Sequence, residues 1–175
     1  LILDRKYWKD AILEMKKLYS NLQFKIVTDD AEYCKKLLPE VEVLSLNLHE
    51  SYDILFKVKK VIISNSSFAF FPVWLSKKDF VIAPKYWARH NISNGFWCSE
   101  QNLISDWNWL DRDGRLHDYL SCKLELENYK KNHSNYYSTK INNKNIVKSL
   151  LTVSDDVTSN TSPFVIYRTY RMLKH

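Results

Sequence analysis

The chain has 175 residues, 45% of them apolar and 26% charged, with a formal net charge of +6. That length fits one domain with a short remainder, and it can bury a core without disulfide staples. Its only two glycines, Gly95 and Gly114, exclude the G-x-G-x-x-G and G-x-x-x-x-G-K-[ST] phosphate loops, and the composition excludes collagen-like, repeat-rich and wholly disordered chains.

In chain order, Trp8, Ile12, Met15 and Tyr19 make one apolar stripe, which predicts a helix over 4–20 with Asp4 as its N-cap. Residues 24–27 predict a short strand that ends in Thr28-Asp29-Asp30. A helix over 31–38 stops at Pro39, and Val41-Glu42-Val43-Leu44 alternates as a strand does. A short helix is predicted over 51–60. The β-branched run Val61-Ile62-Ile63 reads as a strand buried on both faces, followed by Ser64-Asn65-Ser66-Ser67 and an aromatic helix over 68–75. Phe80-Val81-Ile82 is a further buried strand, closed by Ala83-Pro84. This alternation predicts an α/β fold, a Rossmann-like parallel sheet over 22–84 flanked by helices.

Beyond Pro84 the texture changes. Residues 85–122 form an irregular Trp-rich segment, with Trp107-Asn108-Trp109-Leu110 as a strand or hairpin before an Asp113-Gly114 turn. A helix is predicted near 124–131. Residues 154–162 read as loose and 164–173 as weakly docking. Two regions are therefore expected: a domain over 1–122 and a basic, partly helical extension over 123–175. Net charge is +1 in the first and +5 in the second. Such a tail suits an anionic membrane surface, or is simply a solvated end. No aromatic-basic interleaving supports nucleic-acid binding, so none is expected.

Three scattered cysteines, Cys34, Cys98 and Cys122, form no C-x-x-C pair and fit a reducing, cytoplasmic setting, with peripheral contact at the inner membrane face through the tail. No apolar run approaches the roughly 18 residues of a membrane span. The start, Leu1-Ile2-Leu3-Asp4-Arg5, has neither an initiator Met nor a signal pattern and reads as the interior of a longer chain.

Ligands of open α/β sheets sit beyond the carboxyl ends of the strands, where both polar clusters fall. Residues 64–67 place hydroxyls and backbone N–H groups at a helix start, which suits phosphate or an ordinary cap. Asp29 and Asp30 suit acceptance of hydrogen bonds from sugar hydroxyls or an amide, or service as a base, while Asp30 alone could cap the helix over 31–38. Asp111-Arg112-Asp113 spells D-x-D but reads better as a turn with solvated carboxylates, so no metal is expected there. The five His have no ligand spacing, and no thiol has a visible His partner. Trp87, Trp97, Trp107 and Trp109 suit sugar stacking or core packing.

The run Val61-Ile62-Ile63-Ser64-Asn65-Ser66-Ser67-Phe68, then Trp74-Leu75 and Val81-Ile82-Ala83-Pro84-Lys85-Tyr86-Trp87, resembles the bacterial alpha-1,2-fucosyltransferases of glycosyltransferase family 11. Those carry I-I-A-N-S-S-F-S-W-W-G-A-W-L and V-I-A-P-x-x-W. Upstream, Phe24-Lys25-Ile26-Val27-Thr28-Asp29-Asp30 resembles their F-x-I-F-S-D-D. The resemblance covers about residues 5–110. It implies the donor-binding half of a GT-B-type enzyme that transfers fucose from GDP-fucose to a galactoside, inverting and without a metal or other cofactor, in surface-polysaccharide synthesis. It implies that Ser66 and Ser67 hold the donor's beta-phosphate, that Asn65 is a donor-binding residue beside them, and that Asp29 and Asp30 line the donor pocket.

Three departures accompany it. The family's H-x-R-x-G-D is absent and is expected before Leu1, together with the catalytic residues. The acidic residue that reads guanine, expected sixteen positions before Ser67, is Ser51 here, with Glu50 and Asp53 as nearby candidates. W-W-G-A is replaced by Phe70-Phe71-Pro72-Val73, and Pro72 predicts a late start or a kink. The competing readings are a related transferase with another donor and a non-catalytic nucleotide-sugar binding module.

Overall fold

The computed structural model describes residues 2–91 and 103–133 and begins with helix α1 (Arg5–Leu18). Asp4 starts it by accepting the Tyr7 N–H at 3.0 Å. The fully buried stripe is Tyr7, Ala11 and Met15, one residue round from the expected one; Trp8, Ile12 and Tyr19 are half-buried. Ala11 has no bulk beyond Cβ, so the helix settles closest along that line.

Strand β1 (Lys25–Ile26) is followed by α2 (Ala31–Leu37) and β2 (Glu42–Val43), and the two strands pair in parallel. Helix α3 (Leu48–Lys57) starts three residues before the expected 51, because Asn47 and Glu50 form a reciprocal capping box. Next come β3 (Lys60–Ile62), α4 (Ser67–Trp74) and β4 (Phe80–Pro84). A 3-10 turn (Trp87–Arg89), β5 (Asn108–Leu110), β6 (Leu116–His117) and α5 (Tyr119–Asn132) complete the described chain.

The single parallel sheet expected over 22–84 is two sheets. β1 and β2 pair only with each other, while the larger sheet has the order β3-β4-β5-β6. Its first three strands are parallel and β6 is antiparallel to β5. The two strands of the small sheet are two residues long with no fully buried side chain, so they offer little for a wider sheet to pack against.

Alternation along the strands sorts the core into two layers. Val61, Ile63, Val81, Ala83 and Trp109 pack with Val73 of α4 and Cys122 and Leu126 of α5. Ile82 and Leu110 pack with Leu3 and the buried face of α1. The larger sheet is thus covered by helices on both sides.

Pro72 lies inside α4, which nevertheless starts at Ser67. It removes one intrahelical bond, to the Phe68 carbonyl, and the helix continues past it. The β5–β6 hairpin turns at Gly114, whose φ of +83° is the left-handed region, and an added Cβ would meet the Asp10 carboxylate at 2.7 Å. Helix α5 starts at Asp118, its N-cap, and crosses the expected 122/123 division; Cys122 and Leu126 tie it to the core, and the compact unit runs to His133. The expectations for 154–162 and 164–173, like Gly95, Trp97, Cys98 and His175, lie outside the described residues. Among the described residues, no helix is long and apolar enough to cross a membrane.

Candidate functional site

The parallel run of β3, β4 and β5 places their carboxyl ends along one edge of the larger sheet. Beyond β3, Ser64-Asn65-Ser66 leads directly into α4. The backbone there is anchored from below: the buried Tyr7 hydroxyl donates to the Ile63 carbonyl at 2.6 Å. Burial raises the Tyr7 phenol well above its ordinary pKa, so it stays a donor.

Ser66 is the N-cap of α4, yet its side chain makes no capping hydrogen bond. The other four described α-helices are capped by Asp4, Asp30, Asn47 and Asp118. The first-turn N–H groups of α4 therefore have no side-chain acceptor from their own cap, beside a half-buried Ser66 and an exposed Ser67. Oriented donors at the positive end of a helix, flanked by two hydroxyls, suit an anion.

Asp29 and Asp30 follow β1, in the smaller sheet. Asp30 caps α2, accepting the Tyr33 N–H at 3.0 Å, while its own N–H donates to Thr28 Oγ1 at 3.0 Å. Asp29 is exposed at the bend between β1 and α2. One aspartate is thus spent on the helix and the other stands in solvent.

The structure brings α3 to α4. The Tyr52 and Phe68 rings meet edge-to-face at 6.1 Å, so the second turn of α3 lies beside the first turn of α4. Ser51 is buried there. Glu50 is engaged in the capping box, accepting the Asn47 N–H at 2.8 Å, and Asp53 pairs with Lys57 at 2.6 Å on an exposed face.

A polar network at the ends of β4 and β5 carries no periodic signal in the sequence. The buried Lys85 ammonium reaches Glu125 at 2.6 Å and His117 Nδ1 at 3.4 Å, and His117 Nε2 meets Asp111 at 2.7 Å. The Tyr86 hydroxyl donates to the other Glu125 oxygen. Burial, then the bond to Glu125, push the Tyr86 phenol well above its ordinary value. Burial works to raise the Asp111 carboxyl, but hydrogen bonds from His117 and from the Arg115 and Asp113 N–H groups outweigh it and hold it below the usual range. Asp111 is therefore taken up by its turn. Tyr86 and Trp87 both have positive φ, 64° and 48°, a strained pair for bulky residues. The turn they form sets Trp87 edge-on against Phe70 of α4 at 5.5 Å.

Trp107 and Trp109 are core residues rather than sugar platforms. Burial pushes the Cys122 thiol up to about 12, which removes it as a nucleophile.

The family model described as Glycosyl transferase family 11 matches residues 1–111. The chain is also 33% identical over 101 residues to an alpha-1,2-colitosyltransferase from Escherichia coli, an alignment covering 52% of this chain and 35% of that protein. The chain thus spans about a third of the length of this curated relative. No solved structure matches it.

Proposed function

The chain belongs to glycosyltransferase family 11, and from that premise we propose that it is the donor-binding part of a nucleotide-sugar transferase, a Rossmann-like half of a GT-B-type enzyme. The donor is GDP-fucose and the acceptor a galactose-containing glycan of a surface polysaccharide. The observation that carries the reading is the start of α4, where the Ser66 side chain makes no capping hydrogen bond and Ser67 is exposed. A diphosphate leaving group fits that start. Its negative charge grows as the sugar C1–O bond breaks and the acceptor oxygen bonds to C1, with the hydroxyl proton passing to a general base, and pre-oriented donors stabilise that growth on the leaving diphosphate. Asp29 would face the donor while Asp30 holds α2. No metal is needed in this scheme, because N–H groups and hydroxyls carry the charge.

A second reading has its own support: the related Escherichia coli protein is a colitosyltransferase. The same phosphate cradle would serve a colitosyl donor.

The test is calorimetric titration of the 175-residue chain with GDP and UDP. GDP should bind, and the Ser66→Ala/Ser67→Ala double variant should lose ten- to a hundredfold in affinity, the worth of one to two charge-assisted hydrogen bonds at about 1.5–3 kcal/mol. Equal affinity in the double variant would refute the site, and preference for UDP would refute the donor. With the complete reading frame, transfer from GDP-fucose with a chelator present supports the first reading. Transfer confined to a colitosyl donor supports the second.

A further inference from the structure

Helix α4 is apolar almost all round, and such helices are normally buried. This one is not. Phe71, Trp74 and Leu75 are 41%, 51% and 59% exposed, and Phe56 at the end of α3 is 44% exposed. At 3.6 residues per turn, Phe71, Trp74 and Leu75 fall within an arc of about 100° on one side of α4. Trp74 is held in place by stacking on Phe70, with ring centroids 6.1 Å apart.

The same end of the molecule is lysine-rich. Lys78 donates to the carbonyls of Leu55, Phe56 and Val58 at 2.6, 2.8 and 2.7 Å, which ties the end of α3 to the segment after α4. The Lys59 ammonium lies 3.4 Å from the Lys77 carbonyl. Among the described residues, neither Lys59 nor Lys77 is in an ion pair, and both are exposed. Protein–protein interfaces are depleted in Lys, whereas a Trp and Phe cluster rimmed by Lys matches the layered chemistry of a bilayer surface. Aromatic rings reach the acyl boundary while ammonium groups meet lipid phosphates.

We propose that the C-terminal end of α4, with Phe56, Phe71, Trp74, Leu75, Lys59 and Lys77, is a docking surface for an anionic lipid bilayer. It involves residues 56–77 only and is independent of donor chemistry. It lies at the opposite end of α4 from Ser66 and Ser67.

The experiment is co-sedimentation of the 175-residue chain with vesicles of phosphatidylcholine and phosphatidylglycerol in a roughly 2:1 ratio, and with phosphatidylcholine alone. Binding should require the anionic lipid and weaken with salt. Trp74→Ser/Leu75→Ser and, separately, Lys59→Glu/Lys77→Glu should each lower partitioning by roughly tenfold or more, measured on variants shown by urea unfolding to be folded, since Trp74→Ser also gives up its stack on Phe70. A Lys140→Gln/Lys144→Gln/Lys148→Gln variant should lose less than about threefold. Wild-type partitioning of both patch variants would overturn the proposal, as would no binding by the wild type. So would sedimentation equilibrium showing, without vesicles, self-association of the chain that Trp74→Ser/Leu75→Ser abolishes, because the face would then belong to a second copy.

Discussion

Replacing Glu125 by Ala should destabilise the protein more than removing the lysine it pairs with. The Lys85 side chain is 4% exposed and that of Glu125 35%. Among the described residues, without Glu125 the ammonium keeps His117 Nδ1 at 3.4 Å and the face of Tyr86, 5.0 Å to the ring centroid. Leaving one partner of a buried pair uncompensated costs about 3–5 kcal/mol, and the two surviving contacts put Glu125→Ala near the lower end, about 3 kcal/mol. Lys85→Met is different. Glu125 can take water and still accept from Tyr86, and Met fills the space of the lysine stem, so about 1 kcal/mol is expected. The double variant has no unpaired buried charge, so adding Lys85→Met to Glu125→Ala should raise stability rather than lower it. Urea unfolding with unchanged m-values measures all three. A Glu125→Ala cost below about 1 kcal/mol, or a double variant less stable than Glu125→Ala alone, would refute the reasoning.

Two further predictions concern the ends of β3 and β5. Tyr7→Phe removes the donor to the Ile63 carbonyl and should cost about 1–2 kcal/mol in urea unfolding, the price of an unsatisfied buried acceptor; a cost near zero would remove Tyr7 as the anchor of residues 64–66. The Asp111 carboxyl is held below its unfolded value, so its stabilising contribution is fully present above about pH 4 and is lost as pH falls through the folded value. Asp111→Asn should therefore flatten the acid limb of a plot of unfolding free energy against pH, and an unchanged acid limb would show that other carboxylates set it.

What the sequence disclosed was local. Asp4 and Asp30 were readable as caps because a cap acts three residues away on its own chain. The β-branched run Val61-Ile62-Ile63 and the Asp113-Gly114 turn were readable for the same reason. The division into two sheets was not, because it depends on which strands bring enough buried surface to pair, and β1 and β2 look like ordinary strands in one dimension. Helix α5 starts five residues before the expected 124 because Leu120 and Leu124 are exposed and blur its apolar period. The Lys85 network was invisible for a stronger reason: its members lie 32 and 40 positions apart and meet only once β4, β6 and α5 are assembled.

The candidate site was legible as residue types and illegible as commitments. Glu50 and Asp53 look equivalent in the sequence as carboxylates near the position expected to read a base. In the structure they differ in what each must give up. Glu50 closes a capping box, and freeing it forfeits an interaction of about 1 kcal/mol that starts α3. Asp53 forfeits only an exposed i,i+4 pair with Lys57, worth about 0.3–0.5 kcal/mol. Asp29 and Asp30 divide in the same way, one capping α2 and the other in solvent. Ser66 stands apart from the other four described α-helix starts, since it occupies a cap position without a side-chain capping bond. A donor-binding reading therefore draws on Asp29, Asp53, Ser66 and Ser67 at small cost to the fold, and on Glu50 and Asp30 only at the cost of a helix start.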